Sequence, residues 1–223
     1  MGYPTPPSYS QASLFEQKTP TNNSLQKTMT QNNTNSSTHS VRIIGGTNRG
    51  RKITVADLPG LRPTGDRLRE TLFNWLTPYI EGAQVLDAYA GSGALAFEAL
   101  SRGASHALLL DNSNIAANQL KRSAALLNVN AEIRCQDALH FFNSTTDSGS
   151  GFDIVFLDPP FGDSLLQGAV DALAQSTLLS AHALIYLEQA RSQPTISAPA
   201  NWNSHREKTL GEVSCQLYQL GTD

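Results

Sequence analysis

The 223-residue sequence is poor in the residues that build metal sites, disulfide frameworks and membrane spans. Its two cysteines, Cys135 and Cys215, are far apart and form no Cys-x-x-Cys pair, which argues against a zinc site and against disulfides. The five histidines show no ligand spacing. No run approaches the roughly 20 apolar residues of a membrane helix, and the N-terminus lacks the order of a secretory signal. We therefore expect a soluble, cytoplasmic protein without a metal ion.

Negative charge is also scarce in one part of the chain, although the net charge is −3. Residues 41–75 carry seven basic and three acidic side chains, so this segment is +4 and the remainder is −7. The basic residues are Arg42, Arg49, Arg51, Lys52, Arg62, Arg67 and Arg69. A local basic face attracts a phosphate backbone whatever the net charge. The segment is a candidate RNA-binding surface, and a solvated positive surface is the alternative.

The chain divides into three parts by composition. In residues 1–40, 27 are Asn, Gln, Ser, Thr or Pro, which predicts a disordered polar tail. Residues 41–80 predict a basic β-hairpin, VRIIGG and RKITVAD, followed by an amphipathic helix that begins with Asp66 as its cap. Residues 81–223 alternate strands and helices and end in a hairpin, SHREKTLGEVSCQLYQL. This alternation predicts an α/β, Rossmann-like, doubly wound and mostly parallel sheet with ligands at the strand C-termini.

A glycine-rich turn follows the first strand of this domain, in the string DAYAGSGALA. Gly91 and Gly93 allow a tight turn, and Asp111 ends the next strand, where a carboxylate can receive ribose hydroxyls. The glycine spacing alone fits a dinucleotide site equally well. Asp87 shifts the balance, because a carboxylate there holds the cationic amino group of a methionine moiety but repels a pyrophosphate. A simple helix cap is the alternative role for Asp87.

A more specific motif ends the fourth strand: Asp158, Pro159, Pro160 and Phe161. An exocyclic base amine is a poor nucleophile because its lone pair is delocalised into the ring. The Asp158 carboxylate and the Pro159 carbonyl can each accept one N–H of such an amine, and both bonds strengthen as the nitrogen becomes positive. Phe161 offers a face for a flipped-out base. The alternative is a rigid Pro-Pro loop with a core phenylalanine.

An acid also closes the third strand, at Asp137 followed by Ala138. This position suits the adenine amine of an adenosyl cofactor. Phe141 and Phe142 follow and could flank the adenine ring, although phenylalanines at this spacing are more often core residues.

With these motifs in view, residues 41–220 resemble the bacterial 16S ribosomal RNA (guanine-N2)-methyltransferase family. The matching strings are VRIIGGTNRGRK, LRPTGDRLRETLFNWL, LDAYAGSGALAFEALSRG, FDIVFLDPPF, ALIYLEQ and NWNSHREK. The resemblance implies a class I S-adenosylmethionine-dependent methyltransferase that modifies N2 of guanine 966. It implies cofactor binding by Asp87, Tyr89, Gly91, Gly93, Asp111, Asp137 and Ala138, and base binding by Asp158 through Phe161. It further implies RNA contacts or pocket shaping by Arg42, Arg49, Arg51, Lys52, Arg62 and Arg67.

The partner implied is 16S ribosomal RNA, within the small subunit or its assembly intermediate, and we expect a monomer. The sequence departs from the family after the ribose acid, where it reads Asp111-Asn112-Ser113-Asn114 instead of carrying further charges. Three other functions stay open at this point. They are an adenine-N6 or cytosine-N4 methyltransferase acting on DNA or RNA, a nicotinamide-dependent oxidoreductase, and a non-catalytic RNA-binding assembly factor.

Overall fold

The computed structural model describes residues 2, 40–55, 65–145, 151–160 and 165–221. Almost all of the predicted 1–40 tail lies outside the described residues, as do Arg62 and Phe161. The described residues from Ser40 onward belong to one compact unit. The division of the chain at residues 40 and 80 stays a prediction.

Five helices and nine strands are present in the described ranges. The helices are α1 (Asp66–Leu76), α2 (Ala94–Ser101), α3 (Asn114–Leu127), α4 (Ala138–Ser144) and α5 (Leu165–Gln175). The strands are β1 (Ser40–Arg42), β2 (Lys52–Thr54), β3 (Gln84–Asp87), β4 (His106–Asp111), β5 (Ala131–Cys135), β6 (Phe152–Leu157), β7 (Leu179–Ala190), β8 (Trp202–Leu210) and β9 (Val213–Leu220). Strands β1 and β2 pair antiparallel, as the predicted basic hairpin requires.

The main sheet has the strand order β5-β4-β3-β6-β7-β9-β8. Strands β3 to β7 run parallel, and β8 and β9 form the antiparallel closing hairpin. These findings confirm the predicted Rossmann-like, doubly wound and mostly parallel sheet. The strand order reverses between β3 and β6. Strand β4 lies on one side of β3, and β6 lies on its other side. Ligands of such sheets bind in the crevice at the carboxyl ends of the strands beside this point.

Two separate hydrophobic clusters cover the two faces of the sheet. Ile154, Phe156 and Tyr186 belong to the first cluster, together with the buried side of α1 and the hairpin residues Val41 and Ile53. The second cluster contains alternate strand residues and the buried residues of α4 and α5. Because the hairpin contributes to the first cluster, its backbone is fixed against the sheet domain. No helix among the described residues is both long enough and apolar enough to span a membrane.

Two local expectations need correction or completion. The expected cap Asp66 is wrong: Gly65 is the N-cap of α1, and Asp66 is the first helical residue, where its Oδ1 accepts from Arg69 Nη2 at 2.6 Å. Helix α4 was not predicted, because seven residues are too few to reveal a helical period. Phe141 and Phe142 lie on this helix and are each 2% exposed, so their assignment to the core is confirmed.

Candidate active site

The glycine turn connects β3 to α2 and is held open by backbone conformations that favour glycine. Gly91 has φ +50° and Gly93, the N-cap of α2, has φ +75°. A Cβ at Gly93 would collide with the ring of Phe97. The turn is tied to the end of β4, because Gly91 N donates to Asp111 Oδ2 at 3.0 Å, while Asp111 Oδ1 accepts from Ser113 N at 2.8 Å. The Asp111 carboxylate therefore links the glycine turn to the segment that follows β4.

Asp87 lies beneath this turn and is only 2% exposed. Its Oδ2 accepts from Ala96 N, in the first turn of α2, at 3.3 Å. One carboxylate oxygen of Asp87 therefore contacts the start of α2, as the alternative role of a helix cap predicts. Burial raises the pKa of Asp87 to about 7, and the nearby charge of Asp111 adds to the shift. A positive ligand group beside Asp87 would favour the ionised form, since an opposite charge lowers a carboxyl pKa.

Asp137, which follows β5, lies near Tyr89, which belongs to the turn after β3. Asp137 is the N-cap of α4, with Oδ1 accepting from His140 N at 2.8 Å, and Ala138 after it is buried. The Tyr89 hydroxyl is buried and has no hydrogen-bond partner among the described residues. Burial raises the pKa of Tyr89 to about 12, and the charge of Asp137 contributes.

These residues fit S-adenosylmethionine better than a nicotinamide dinucleotide. The site presents three carboxylates, from Asp87, Asp111 and Asp137, at the ends of β3 and β4 and after β5. S-adenosylmethionine offers an ammonium group, two ribose hydroxyls and an adenine amine, which are all hydrogen-bond donors, whereas a pyrophosphate would be repelled by the acid beneath the turn. The buried Tyr89 hydroxyl is a further polar group that a bound ligand can satisfy.

The catalytic loop predicted from the sequence begins where β6 ends. Asp158 is half-buried, Pro159 is buried and Pro160 is exposed, while Phe161 lies outside the described residues. In the register of β3 and β6, Asp87 is opposite Phe156. Asp158 follows Phe156 by two residues, so it lies just beyond the level of Asp87, where β6 has ended. Neighbouring strands are about 4.8 Å apart. The fold therefore brings the glycine turn and the Asp-Pro-Pro loop together at the point where the strand order reverses.

The basic residues predicted to bind RNA do not form one group within the part of the chain that the structure describes. Arg42 and Lys52 are exposed and opposite each other on β1 and β2, and Arg67 is exposed in the first turn of α1. Arg51 is committed to other contacts: its Nη2 donates to the Leu126 carbonyl at 2.6 Å and its Nη1 to Asn48 Oδ1 at 3.1 Å. These bonds attach the hairpin turn to the C-terminus of α3.

The rest of the hairpin turn, which contains Arg49, is held at the C-terminus of α2. Thr47 N donates to the Ser101 carbonyl at 2.7 Å, and Asn48 N donates to Ser101 Oγ at 2.9 Å. A helix that follows a parallel strand runs back along the sheet, so the C-terminus of α2 lies at the edge opposite the crevice. Arg49 is exposed at that far edge.

Two buried glutamates, one on α2 and one on β7, were not singled out from the sequence. Glu98 on α2 is fully buried; it accepts from Ile44 N at 2.7 Å and from Gly45 N at 2.8 Å, and it pairs with Arg102 Nε at 2.7 Å. Glu188 on β7 is 3% exposed, and its Oε2 accepts from the Tyr186 hydroxyl at 2.8 Å. In both cases an acid inside an apolar string, ALAFEALS or ALIYLEQ, was the available signal.

Comparisons with known proteins agree with this geometry. The family model described as conserved hypothetical protein 95 matches residues 41–219. Ribosomal RNA small subunit methyltransferase D of Haemophilus influenzae is 47% identical over 182 residues, which make up 80% of this chain and 93% of that protein. The structure of the Escherichia coli protein yhhF superimposes with a TM-score of 0.75 at 43% identity, covering 83% of this chain and 100% of that one.

A more distant structure shares the fold. It is the Thermus thermophilus 16S rRNA N2 G1207 methyltransferase RsmC in complex with AdoMet and guanosine, with a TM-score of 0.58, 18% identity, and coverage of 83% of this chain and 50% of that one. The sheet and crevice described above thus have the fold of class I S-adenosylmethionine-dependent methyltransferases. On the family match and the 47% identity, the chain belongs to the family of the ribosomal RNA small subunit methyltransferases D.

Proposed function

We propose that the chain transfers a methyl group from S-adenosylmethionine to the exocyclic N2 of a guanine in 16S ribosomal RNA, at guanine 966. The observation that carries this proposal is the position of Asp158 and Pro159 beside the three-carboxylate crevice, just beyond the end of the strand next to β3, which carries Asp87. A cofactor site and an amine-binding loop in one crevice are the two parts that methylation of a base amine requires. The names of the relatives support ribosomal RNA as the substrate.

The cofactor-binding residues are proposed to act on separate parts of S-adenosylmethionine. Asp87 binds the ammonium group, Asp111 the ribose hydroxyls and Asp137 the adenine amine. Gly91 and Gly93 let the backbone approach the ligand closely, while Tyr89 and Ala138 line the crevice between these polar contacts. Bound here, S-adenosylmethionine supplies a methyl group that is activated by its sulfonium.

The loop that follows β6 then acts on the base. Asp158 and the Pro159 carbonyl each accept one hydrogen of N2, which directs the nitrogen lone pair out of the ring plane toward the methyl carbon. As nitrogen becomes positive, both bonds strengthen, and this differential binding lowers the barrier. When the N–C bond has formed and the C–S bond has broken, Asp158 is placed to accept the proton that N2 loses. Pro160 and Phe161 complete the proposed contact with the base.

The exposed basic residues are proposed to hold the RNA around the crevice. Arg42, Lys52 and Arg67 are suited to phosphate contacts, and Arg49 offers a contact at the far edge of the sheet. Arg62 remains a candidate that lies outside the described residues. The bonds of Arg51 assign it first to holding the hairpin turn on α3. We propose that the protein acts as a monomer in the cytoplasm, on the small subunit or an assembly intermediate.

The proposed reaction is tested by transfer of labelled methyl to small ribosomal subunits that lack the modification, followed by digestion to nucleosides. We expect N2-methylguanosine, and we expect Asp158→Ala to lose about 100-fold or more in kcat while its affinity for S-adenosylmethionine is unchanged. Asp171→Ala, at an exposed residue of α5, is the matched control and should retain full activity.

Other results would separate the remaining functions. N6-methyladenosine or N4-methylcytosine as the product would replace guanine as the target while keeping the role of the loop. Full cellular function of Asp158→Ala would indicate a non-catalytic assembly factor.

A further inference from the structure

Asp158 and Glu188 occupy equivalent positions on neighbouring parallel strands. The last residue pair between β6 and β7 is Leu157 with Leu187, so Asp158 and Glu188 are the first residues beyond it on each strand. Strand β7 continues to Ala190 with only β9 paired to it, and Glu188 is opposite Cys215 on that side. On its other side, Glu188 is therefore next to the point where β6 ends and the Asp-Pro-Pro loop begins.

The same two residues lie on one face of the sheet. Phe156 and Tyr186 contact each other edge-to-face at 6.2 Å between ring centroids, and both belong to the first hydrophobic cluster. Leu157 and Leu187 belong to the second cluster, on the other face. Since side chains alternate along a strand, the next residues return to the face of Phe156 and Tyr186. With strands about 4.8 Å apart, the two carboxylates face one small volume.

Tyr186 fixes the Glu188 carboxylate in that volume. Its hydroxyl donates to Glu188 Oε2 at 2.8 Å, and both side chains are buried. Burial raises the pKa of Tyr186 well above its usual value, and the charges of Glu188 and Asp158 both contribute, in agreement with the closeness of the two acids to this hydroxyl. A carboxylate has about four acceptor positions, and the bond from Tyr186 orients Glu188.

The ring atom beside the amine differs among the bases that such a loop could methylate. In guanine, N2 is next to N1–H, which is a hydrogen-bond donor. In adenine, N6 is next to N1, and in cytosine N4 is next to N3, and both of these ring nitrogens are acceptors. Enzymes that flip out a base read these donors and acceptors on its Watson–Crick edge. A second carboxylate beside the amine-binding loop therefore accepts a hydrogen bond from N1–H of guanine. The same carboxylate repels the lone pair on N1 of adenine or on N3 of cytosine.

We propose that Glu188 determines specificity by accepting the N1–H of the target guanine, while Asp158 and Pro159 accept the hydrogens of N2. This inference rests on the proposed methylation of guanine and supplies a physical reason for guanine that an Asp-Pro-Pro-Phe loop alone does not. A site with a buried acceptor that binds a donor on the base rejects analogues that lack this donor. With such an analogue, the buried acceptor of the site is left without a hydrogen bond.

The experiment uses the full chain and small subunits reconstituted with 16S RNA that carries either guanine or 2-aminopurine at the position methylated by the unmodified enzyme. 2-Aminopurine keeps the N2 amine but has an acceptor at N1. We expect the unmodified enzyme to prefer guanine by about 10- to 100-fold in kcat/KM, as the loss of one charged hydrogen bond implies. Glu188→Gln should reduce that preference severalfold, because its amide can donate to N1 of 2-aminopurine.

Two further variants keep the test interpretable. Glu207→Gln, at an exposed residue of β8, is the matched control and should leave the preference unchanged. Tyr186→Phe removes only the hydroxyl that orients Glu188, and a partial loss of preference is expected with cofactor affinity unchanged. It serves in place of Glu188→Gln if that protein fails to fold, which a thermal melt would show.

The outcomes separate this inference from the proposed function. If the unmodified enzyme methylates guanine and 2-aminopurine equally well, or if Glu188→Gln folds and keeps the full preference, Glu188 does not read N1 and the inference is overturned. If the unmodified enzyme methylates neither base in any RNA, the proposed function itself fails.

Discussion

Asp87 is a buried carboxyl whose pKa of about 7 lies far above its usual value of 3.8. Between about pH 4 and pH 7 the folded chain holds a proton here that the unfolded chain has lost, so the contribution of Asp87 to stability falls as pH rises through this window. An ammonium group bound beside it reverses this preference, because the positive charge stabilises the carboxylate. Binding of S-adenosylmethionine should therefore release a proton below pH 7.

The expected result is an affinity for S-adenosylmethionine that rises up to about tenfold per pH unit below pH 7 and levels off toward about pH 7.5, below the range in which the ligand's own α-amino group loses its proton. Calorimetric titration between about pH 5.5 and about pH 7.5 measures this dependence. Asp87→Asn should bind more weakly and with a flat pH profile, while Asp171→Asn should follow the unmodified protein. A flat profile for the unmodified protein would show that Asp87 does not contact the ammonium group.

The Tyr89 hydroxyl is buried without a partner among the described residues, an arrangement that costs about 1–3 kcal/mol. Removing it by Tyr89→Phe should therefore stabilise the ligand-free protein by about 1 kcal/mol. Urea denaturation measures the change, and Tyr79→Phe, at a residue that is 39% exposed, is the control in which no gain is expected. A loss of stability in Tyr89→Phe would mean that the hydroxyl is satisfied in the ligand-free protein, for instance by water.

At the scale of elements, the hairpin of β1 and β2 is attached to α2 by a buried ionic network. Glu98 accepts two N–H groups from the hairpin and lies between Arg102 and the buried guanidinium of Arg69, which in turn donates to the Arg42 carbonyl at 3.0 Å. Breaking such a network by removing one partner leaves a buried charge uncompensated.

Glu98→Ala should accordingly lower the free energy of unfolding by about 3–5 kcal/mol. It should also expose the hairpin to proteolysis before the rest of the chain unfolds, since the turn loses its anchor on α2. Urea denaturation and limited proteolysis followed by mass spectrometry measure these effects, and Glu70→Ala, at an exposed position of α1, is the control. Equal destabilisation by both variants would argue against the anchor.

The elements with a clear period were predictable from the sequence, and the long-range polar contacts were not. The parallel strands, α2, α3 and the closing hairpin all follow patterns of apolar residues within a short window. Helix α4 is too short for such a pattern. The bonds of Glu98 span 54 and 53 residues along the chain, and Glu188 is level with Asp158 only because β6 and β7 pair. The acids at strand ends were found because the strand pattern itself marks where they lie.

At the scale of the whole molecule, positive charge is concentrated on one part of a chain whose net charge is −3. Helix α1 precedes β3 and leads into its start, so the helix runs in the opposite direction to the parallel strands. Its first turn, which contains Arg67, is therefore placed toward the crevice edge. The hairpin turn with Arg49 and Arg51 lies at the opposite edge. The basic segment of the sequence thus extends across the height of the sheet, and its residues need not share one role.

Salt dependence of RNA binding can separate these roles, because each phosphate contact adds about 0.7–0.9 to the slope of log K against log salt. Arg67→Ala should lower the slope by about one contact and weaken binding. Arg51→Ala should leave the slope unchanged and lower the unfolding midpoint, since its guanidinium bonds the Leu126 carbonyl and Asn48. Filter binding of 16S RNA over a range of KCl concentrations measures both variants. If Arg51→Ala lowers the slope and Arg67→Ala does not, RNA is held at the far edge of the sheet, and the crevice must then reach its target base from a complex anchored at the hairpin turn.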